Sequence, residues 1–491
     1  MRLNSHINSH MSDVVKMVFA LFFLFLSAFA CTASAAGDEA VMRLTVADAV
    51  KIAVEENPAI RMNRADARIA GGTLTARQGA FDTVIDAAVT DAESRTKSAG
   101  LAGVSTSRNN AMGWSLSASR MLDTGTQLSA SATGGRTDFK SSPLSPDPAY
   151  SSSLSFSVSQ PLLRGKGRDV QTAGIRAAEI SVQAAGMTVE HSAAELASNV
   201  RKAYWELVFA LDDIEVKKLS LQLAERLRTE TRQKIEAGAL AQVEIYQPES
   251  EAALREQELI VSERNAAAAE DALKLAMNVR QWSGRIVPAD APDESAKDTI
   301  DTDAAISEAL ENRRDIKAAF HRMEAAGFLS KIAADARRPA LALSGGLALN
   351  GLSGSATNSV TESDYGWNIA LNYSVPLENR AASGAYASAL AEVEKANLAF
   401  ILLRQAVVKE ARDAARNAKV AGKTIGAARK TSLAFRKRME AEQAKFDAGL
   451  STASDVLNAQ TLYAKALSGE KRAVVDYAQA LAELERVRGI R

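Results

Sequence analysis

One short segment occurs twice in this chain, and the fold prediction rests on it. The first copy reads Lys234-Ile-Glu-Ala-Gly238-Ala-Leu-Ala-Gln-Val-Glu244-Ile-Tyr-Gln247, and the second reads Lys445-Phe-Asp-Ala-Gly449-Leu-Ser-Thr-Ala-Ser-Asp455-Val-Leu-Asn458. The copies align without a gap at a spacing of 211 residues, from Lys234 to Lys445. In each copy an acid and Ala precede a Gly. A second acid, two apolar residues and an amide follow the Gly.

Each copy is predicted to be the turn of a helical hairpin. A long helical sequence precedes each copy, and a shorter one follows it. Gly238 and Gly449 can adopt the left-handed conformation that ends a helix, and the polar residues after them suit a new helix start. We expect the helices before the turns to cover 168–236 and 382–447, and the return helices to cover 243–279 and 452–488.

The duplication extends over nearly the whole chain. A short helix is predicted from residue 44 up to the proline at position 58, and its apolar spacing returns after residue 300. We therefore divide the chain into a first repeat at 44–280, a linker at 281–300 and a second repeat at 301–490. Within the linker, residues 287–295 are expected to be exposed.

Both repeats contain segments that alternate between bulky apolar and small polar residues. This period-two pattern is typical of barrel strands that face lipid on one side. The first repeat also carries two additional segments, 113–120 and 126–132, joined by the turn signal Leu122-Asp-Thr-Gly125. The alternating apolar positions are Leu154, Phe156 and Val158 in the first repeat, and Leu341, Leu343, Leu347, Leu349, Trp367, Ile369, Leu371, Tyr373 and Val375 in the second.

Each β region ends at a proline that leads into a long helix. Pro161 and Pro376 cannot donate a backbone hydrogen bond to a sheet, so they mark the strand-to-helix junctions. Each following helix would be about 100 Å long at 1.5 Å per residue. Helices of this length need lateral partners to hold them.

The N-terminus and the overall charge place limits on the class of protein. Residues 1–35 have the basic, apolar and small-residue regions of a secretory signal peptide, with Ala33-Ser-Ala35 as the cleavage site. Cys31 is the only cysteine, and an alternative is that it is lipidated instead of being removed. Lys plus Arg and Asp plus Glu both number 59, so bulk electrostatics predict no nucleic-acid partner.

We find no residues arranged for catalysis, for a cofactor or for a metal. His191 and His321 lie in unrelated helical contexts, where we expect exposed imidazoles without a metal partner. Gly165-Lys-Gly167 lacks the longer pattern of a phosphate-binding loop. The sequence therefore predicts that the protein is not an enzyme. Aromatic residues, among them Trp114, Trp367 and Tyr373, instead lie in the β segments, where they are expected at a membrane interface.

Taken together, the duplicated unit, the junction Ser159-Gln-Pro-Leu-Leu-Arg-Gly165 and the second turn segment resemble the TolC family of outer-membrane efflux proteins. The resemblance covers residues 44–490. It implies an α+β membrane protein: a trimeric transmembrane β-barrel continued by a long α-helical periplasmic tunnel, built from two internal repeats. Closure among three chains would remove strand edges that lipid cannot satisfy. The family has four strands per protomer, so the additional pair either enlarges the barrel or folds outside the membrane.

The resemblance also implies which residues surround the periplasmic aperture. Asp455 aligns with the acid that rings the aperture in relatives, and three such carboxylates would favour cations. A local role for Asp455 as a helix-start acid is compatible with this one. Ser451 stands where some relatives have a basic residue, so fewer charged links are expected. The remaining aperture positions are Asn458, Glu244 and Gln247.

The predicted function is the exit duct of a tripartite efflux or type I secretion system. The resemblance implies a homotrimer in outer-membrane lipid that works with a periplasmic adaptor and an inner-membrane pump. The alternative from another class is a periplasmic coiled-coil scaffold or adaptor that never crosses the membrane.

Overall fold

The computed structural model describes residues 41–100, 103–140, 146–279, 282, 284–293, 295 and 300–490. The signal-peptide prediction at 1–35, including Cys31, lies outside them. The strands are β1 (Met42–Leu44), β2 (Val84–Gly100), β3 (Gly103–Met121), β4 (Gln127–Lys140), β5 (Ala149–Pro161), β6 (Ile286–Pro288), β7 (Ala340–Ser353) and β8 (Asp364–Ser374). The helices are α1 (Val46–Glu56), α2 (Pro58–Gln78), α3 (Arg168–Gln171), α4 (Ala173–Glu236), α5 (Tyr246–Met277), α6 (Thr302–Asn312), α7 (Arg314–Ala336), α8 (Ala356–Thr361), α9 (Arg380–Asp447) and α10 (Ala453–Arg488).

The chain divides into a small and a large compact unit. The small unit contains the first residues of β1 and β6, where the Met42 amide donates to the Arg285 carbonyl at 2.8 Å. The large unit contains Leu44–Arg280 and Pro288–Arg491. It includes the main sheet and all of the helices, and the following paragraphs concern this unit.

The main sheet has six antiparallel strands in the order β2-β3-β4-β5-β7-β8. Its register places apolar residues side by side on one face across every strand, as in the row Ile85, Ala118, Ala130, Phe156, Leu347 and Trp367. These side chains are not covered: Phe156 is 51% and Trp367 is 70% exposed. Most of this face is therefore an uncovered apolar surface of the kind that faces lipid. The short helix α8 lies over one end of it, where the Ser152 hydroxyl donates to the Ser359 carbonyl at 2.5 Å.

The opposite face of the sheet is lined by serine and other small polar residues. One row runs Asp86, Ser117, Ser131, Ser155, Ala348 and Gly366. Neighbouring hydroxyls bind each other across strands: Ser129 and Ser157 are 2.6 Å apart, and Ser131 and Ser155 are 2.7 Å apart. The alternation read from the sequence thus separates an apolar face from a polar one.

Two features of the first repeat were not predicted. The helix before Pro58 ends at Glu56, but a second helix begins at the proline itself, because proline is tolerated at the first helical position. The second feature is strand β2, which precedes the additional segments. It was not predicted because its Thr, Ser, Lys and Glu residues hide the alternation of apolar and polar positions. The additional segments are β3 and β4, and they lie inside the sheet between β2 and β5.

Helices α4 and α9 run from the sheet toward the two turns and are about 100 Å long. Helix α5 packs on α4, α4 on α10, and α10 on α9, so α5 and α9 are the outer members of this layer. The α9 contact surface repeats every seven residues as Ala411, Ala418, Ile425 and Ser432, all buried. No helix in the described part of the chain combines the length and hydrophobicity needed to cross a bilayer.

The chain between the repeats is bound to Tyr204, so the prediction that residues 287–295 are exposed is partly wrong. The Tyr204 hydroxyl donates to the Leu44 carbonyl at 2.9 Å and accepts from the Ala289 and Asp290 amides, each at 3.0 Å. The Asp290 carboxylate in turn accepts from the Val46 amide at 2.7 Å. One buried hydroxyl therefore joins the start of the first repeat to the middle of the linker.

A network of charged residues joins helices α4, α9 and α10 to Arg313, which lies between α6 and α7. Arg313, which is 6% exposed, binds Glu410, and Glu410 also binds Arg486. Arg486 bonds to Glu483 at 2.6 Å, and Glu483 accepts from Lys202 at 2.6 Å. Burial alone would raise the pKa of Glu483, but the hydrogen bonds from Arg486 and Lys202 outweigh it and lower that pKa to about 2.

We predict that the contribution of Glu483 to stability depends on pH. Because its pKa is lower in the folded protein than in the unfolded chain, its contribution is complete above the unfolded value and is lost as the pH falls toward 2. Glu483→Gln should lower the melting temperature at pH 7, and the difference from wild type should shrink toward pH 3. Glu215→Gln, at an exposed carboxylate, is the control and should change little at either pH. A difference that stays constant with pH would contradict the assignment.

Candidate functional site: the tips of the two helical hairpins

Both long helices end in the same hydrogen-bonded turn. After α4, the Gly238 amide donates to the Ile235 carbonyl at 2.9 Å and the Ala239 amide to the Lys234 carbonyl at 2.8 Å. After α9, the Gly449 amide donates to the Phe446 carbonyl at 3.1 Å, and the next amide again donates five residues back. Both glycines have φ of 75°. This is the Schellman ending, which needs a left-handed residue and therefore favours glycine.

The two tips differ in how the return helix begins. Thr452 caps α10 in a capping box: the Asp455 amide donates to its hydroxyl, and its own amide donates to the Asp455 carboxylate at 3.2 Å. The aligned residue in the first tip is Ala241, which has no side-chain oxygen to accept these bonds. Residues 242–245 accordingly form a 3-10 turn, and α5 begins only at Tyr246.

Asp455 also accepts hydrogen bonds from hydroxyl groups. Its carboxylate is 2.6 Å from the Thr452 hydroxyl and 3.3 Å from the Ser451 hydroxyl. Hydrogen bonds from the Thr452 side chain and backbone lower the pKa of Asp455, so this exposed group remains charged at neutral pH. Ser451 also donates to Glu442 at 2.5 Å, and this bond lowers the pKa of Glu442 as well.

The tips contact each other through Lys234, which is the first residue of the repeated segment. Its ammonium group lies 2.5 Å from the Phe446 carbonyl and 3.8 Å from the centre of the Phe446 ring. The equivalent Lys445 instead pairs with Glu442 at 3.0 Å. A second link joins the Gln247 amide to the Ser454 hydroxyl at 2.9 Å. Beneath them lies a small apolar core of Leu227, Phe446, Ala453, Val456 and Leu457.

The aperture residues predicted from sequence thus lie in one small region with different surroundings. Asn458 is exposed, Glu244 is half-buried, and the other three make the contacts described above. Sequence reasoning overlooked the roles of Thr452, Glu442 and Lys234. The Thr-x-x-Asp spacing could have identified the cap, whereas the contact of Lys234 with Phe446 depends on tertiary structure.

The predicted junction prolines lie at or near the ends of strands, and the aromatic residues expected at a membrane interface lie on the apolar face of the sheet. Pro161 is the last residue of β5 and pairs with Ala342, and Pro376 follows the end of β8. Trp114, Trp367 and Tyr373 are all more than half exposed on the apolar face of the sheet.

The two histidines are half-buried rather than exposed as expected, each beside a glutamate. Among the described residues there is no group of three or more potential metal ligands of the His, Cys, Asp and Glu types. Neither histidine belongs to the tip region.

Comparison with known protein families decides the assignment. The family model described as outer membrane efflux protein matches residues 123–279 and 305–489, one segment in each repeat. The chain belongs to this family. It is an outer-membrane efflux channel that extends into the periplasm, and this supports the channel over the alternative of a periplasmic coiled-coil scaffold or adaptor that never crosses the membrane. The family consists of conduits rather than enzymes.

Solved structures agree with this fold. The chain is similar to a membrane protein from Pseudomonas aeruginosa, with 18% identity, a TM-score of 0.69 and coverage of 91% of this chain and 90% of that one. It is also similar to the Campylobacter jejuni CmeC outer membrane channel, with 16% identity, a TM-score of 0.65 and coverage of 94% of this chain and 90% of that one. The outer membrane protein VceC from Vibrio cholerae has 16% identity and a TM-score of 0.66, with coverage of 90% of this chain and 96% of that one. A search of curated sequences found no match.

We predict that Ala241→Thr supplies the missing cap of the first tip. Ala241 already has the extended backbone of an N-cap residue, and Glu244 occupies the third helical position of a capping box. The variant should extend α5 toward residue 242 and stabilise this hairpin by about 0.5–2 kcal/mol. Slower amide hydrogen exchange at residues 243–246 would be the measured sign.

The matched variant Thr452→Ala should have the opposite effect at the second tip, with faster exchange at residues 453–456. If both variants leave the exchange at both tips unchanged, the difference between the tips does not arise from capping.

Proposed function

We propose that three copies of this chain form one channel whose periplasmic end is closed by the paired tips. The observation that carries this proposal is the six-stranded sheet with a largely uncovered apolar face and two open edges, β2 and β8. In a bilayer the unpaired backbone groups of these edges must find partners, and pairing β8 of one copy with β2 of the next provides them. Family membership supports the number three.

In this channel the repeats at 44–280 and 301–490, joined by the linker at 281–300, each contribute one helical hairpin to the tunnel wall. The channel performs no chemistry itself. A periplasmic adaptor and an inner-membrane pump supply the energy and select the cargo, and the adaptor docks near the tips. Tripartite efflux is favoured over polypeptide secretion because the matching family is described by efflux.

Asp455 is proposed to ring the aperture together with Ser451, Asn458, Glu244 and Gln247. Its support is electrostatic, because the capping box keeps the carboxylate ionised while leaving it exposed. Three such charges at one constriction attract cations and exclude anions. The uncharged hydroxyl of Ser451 bonds within its own hairpin, so fewer charged links oppose opening of the tips.

We predict that Asp455→Asn reduces the cation selectivity of single channels in a planar bilayer several-fold. The amide can still accept a capping hydrogen bond but carries no charge, so the fold should be retained. The opposite variant, Asn458→Asp, adds an acid one turn further along α10 and should increase selectivity. If Asp455→Asn conducts with unchanged selectivity, Asp455 does not line the aperture, although the protein would still be a channel.

A further inference from the structure

The two repeats contribute unequally to the sheet. The second repeat supplies two strands, β7 and β8, and the first supplies four, because β3 and β4 form a hairpin between β2 and β5. From this we propose that the β3–β4 hairpin is part of the membrane barrel. It would enlarge the channel to eighteen strands, three times six, and widen its outer mouth. This inference rests on the trimeric channel proposed above.

The β3–β4 hairpin is an internal part of the sheet and does not project from its edge. β3 pairs with β2 over its length, and β4 pairs with β5, so the hairpin is hydrogen-bonded on both sides. The open edges are β2 and β8, which lie outside it. A barrel closed through these edges must include β3 and β4, since no other strands connect β2 to β5.

The hairpin also has the same two faces as its neighbours. Leu116 and Ala132 continue the apolar row that contains Leu154, Leu349 and Tyr365. Ser117 and Ser131 continue the polar row on the other face. The Trp114 indole lies across Gly134, where a larger residue would collide with it. A hairpin outside the membrane would have no reason to expose apolar residues on this one face only.

The turn of the hairpin is fixed at the strand-to-helix junction. The Gly167 amide donates to the Thr124 carbonyl at 3.1 Å, and the Thr126 hydroxyl donates to Gln160 at 2.5 Å. Arg168 pairs with Asp123 at 3.1 Å. Gly125, at φ 88°, packs against the Gly165 carbonyl, so a side chain there would be both strained and obstructed. The hairpin therefore begins at the level where the neighbouring strands enter the helices.

The functional consequence is a wider exit. Barrel diameter grows roughly in proportion to strand number, so eighteen strands give a pore about 1.5-fold wider than the twelve that two strands per repeat would form. The polar face of the sheet carries mainly serine, threonine, asparagine and small residues, which interact weakly with solutes. Such a mouth admits solutes of large cross-section, so it adds no selection to that made by the adaptor and the pump.

Cysteine accessibility tests this inference, because Cys31 is the only native cysteine. In a Cys31→Ser background, single cysteines replace Leu116, Ser117, Ser131 and Ala132 in the hairpin. Asn368 and Ile369 on β8 serve as the control pair. Outer membranes are treated with a charged maleimide. Positions 117, 131 and 368 should react, whereas 116, 132 and 369 should react about tenfold or more slowly, because the reactive thiolate does not form in hydrocarbon.

The outcomes separate the inference from the channel assignment. If positions 368 and 369 on β8 differ in maleimide reactivity but all four hairpin positions react alike, the hairpin lies outside the membrane. The proposal of a wider barrel is then wrong, and the channel assignment is unaffected. If positions 368 and 369 also react alike, the assignment of the sheet to a membrane channel is wrong.

Deletion of residues 101–148 gives a second test. The deletion leaves β2 and β5 as a simple hairpin like β7–β8. Polymers added on the extracellular side of a planar bilayer should enter wild-type channels at sizes that the variant excludes. Equal cut-off sizes would contradict the proposed widening.

Discussion

The structure depends on the satisfaction of backbone hydrogen bonds at the two edges of its sheet. Inside a bilayer there is no water to bind the amides and carbonyls of an edge strand, and each unpaired group costs several kcal/mol. One copy of the chain has a six-stranded sheet with edges at β2 and β8 and a largely uncovered apolar face, with the short helix α8 over one end of it. Its six strands cannot remain in lipid alone. We therefore propose that association with further copies is part of forming the native state.

The same dependence applies to the helices. Helices of about 100 Å gain little stability from their own backbone and need continuous lateral contacts. Along α9 these contacts are made largely by alanine and serine at seven-residue intervals, which allow α10 to approach closely. The junctions at Pro161 and Pro376 convert one architecture into the other. The Tyr204 hydroxyl then holds the linker to the first repeat, and the Glu483 network holds the two repeats to each other.

Much of this fold could be predicted because its signals are local and repeated. The glycine turns at 238 and 449, the prolines and the period-two strands each reflect a backbone requirement that one sequence displays. Strand β2 escaped prediction because its outer half extends past the apolar rows, with Glu93 paired to Arg108 at 2.7 Å, and so lacks the alternation. The binding of the linker by Tyr204 escaped because residues far apart in sequence create it.

The site was predicted less completely than the fold. The identities of the tip residues followed from the duplication, and their convergence followed from the hairpins. The structural difference between the two tips did not follow from the duplication. It depends on a single difference, Thr452 against Ala241, which decides whether the return helix starts with a cap. The proposed ring of Asp455 carboxylates would require neighbouring copies, and a single sequence holds no direct record of them.

The central claim is that copies of this chain close into one pore that crosses the outer membrane and ends at the paired tips. Electron microscopy of the purified protein in lipid nanodiscs tests it most directly. The account predicts particles with threefold symmetry, in which a barrel within the lipid disc is continuous with a helical tunnel that narrows at its far end. Particles whose helices lie beside the disc, with no density crossing the lipid, would contradict it.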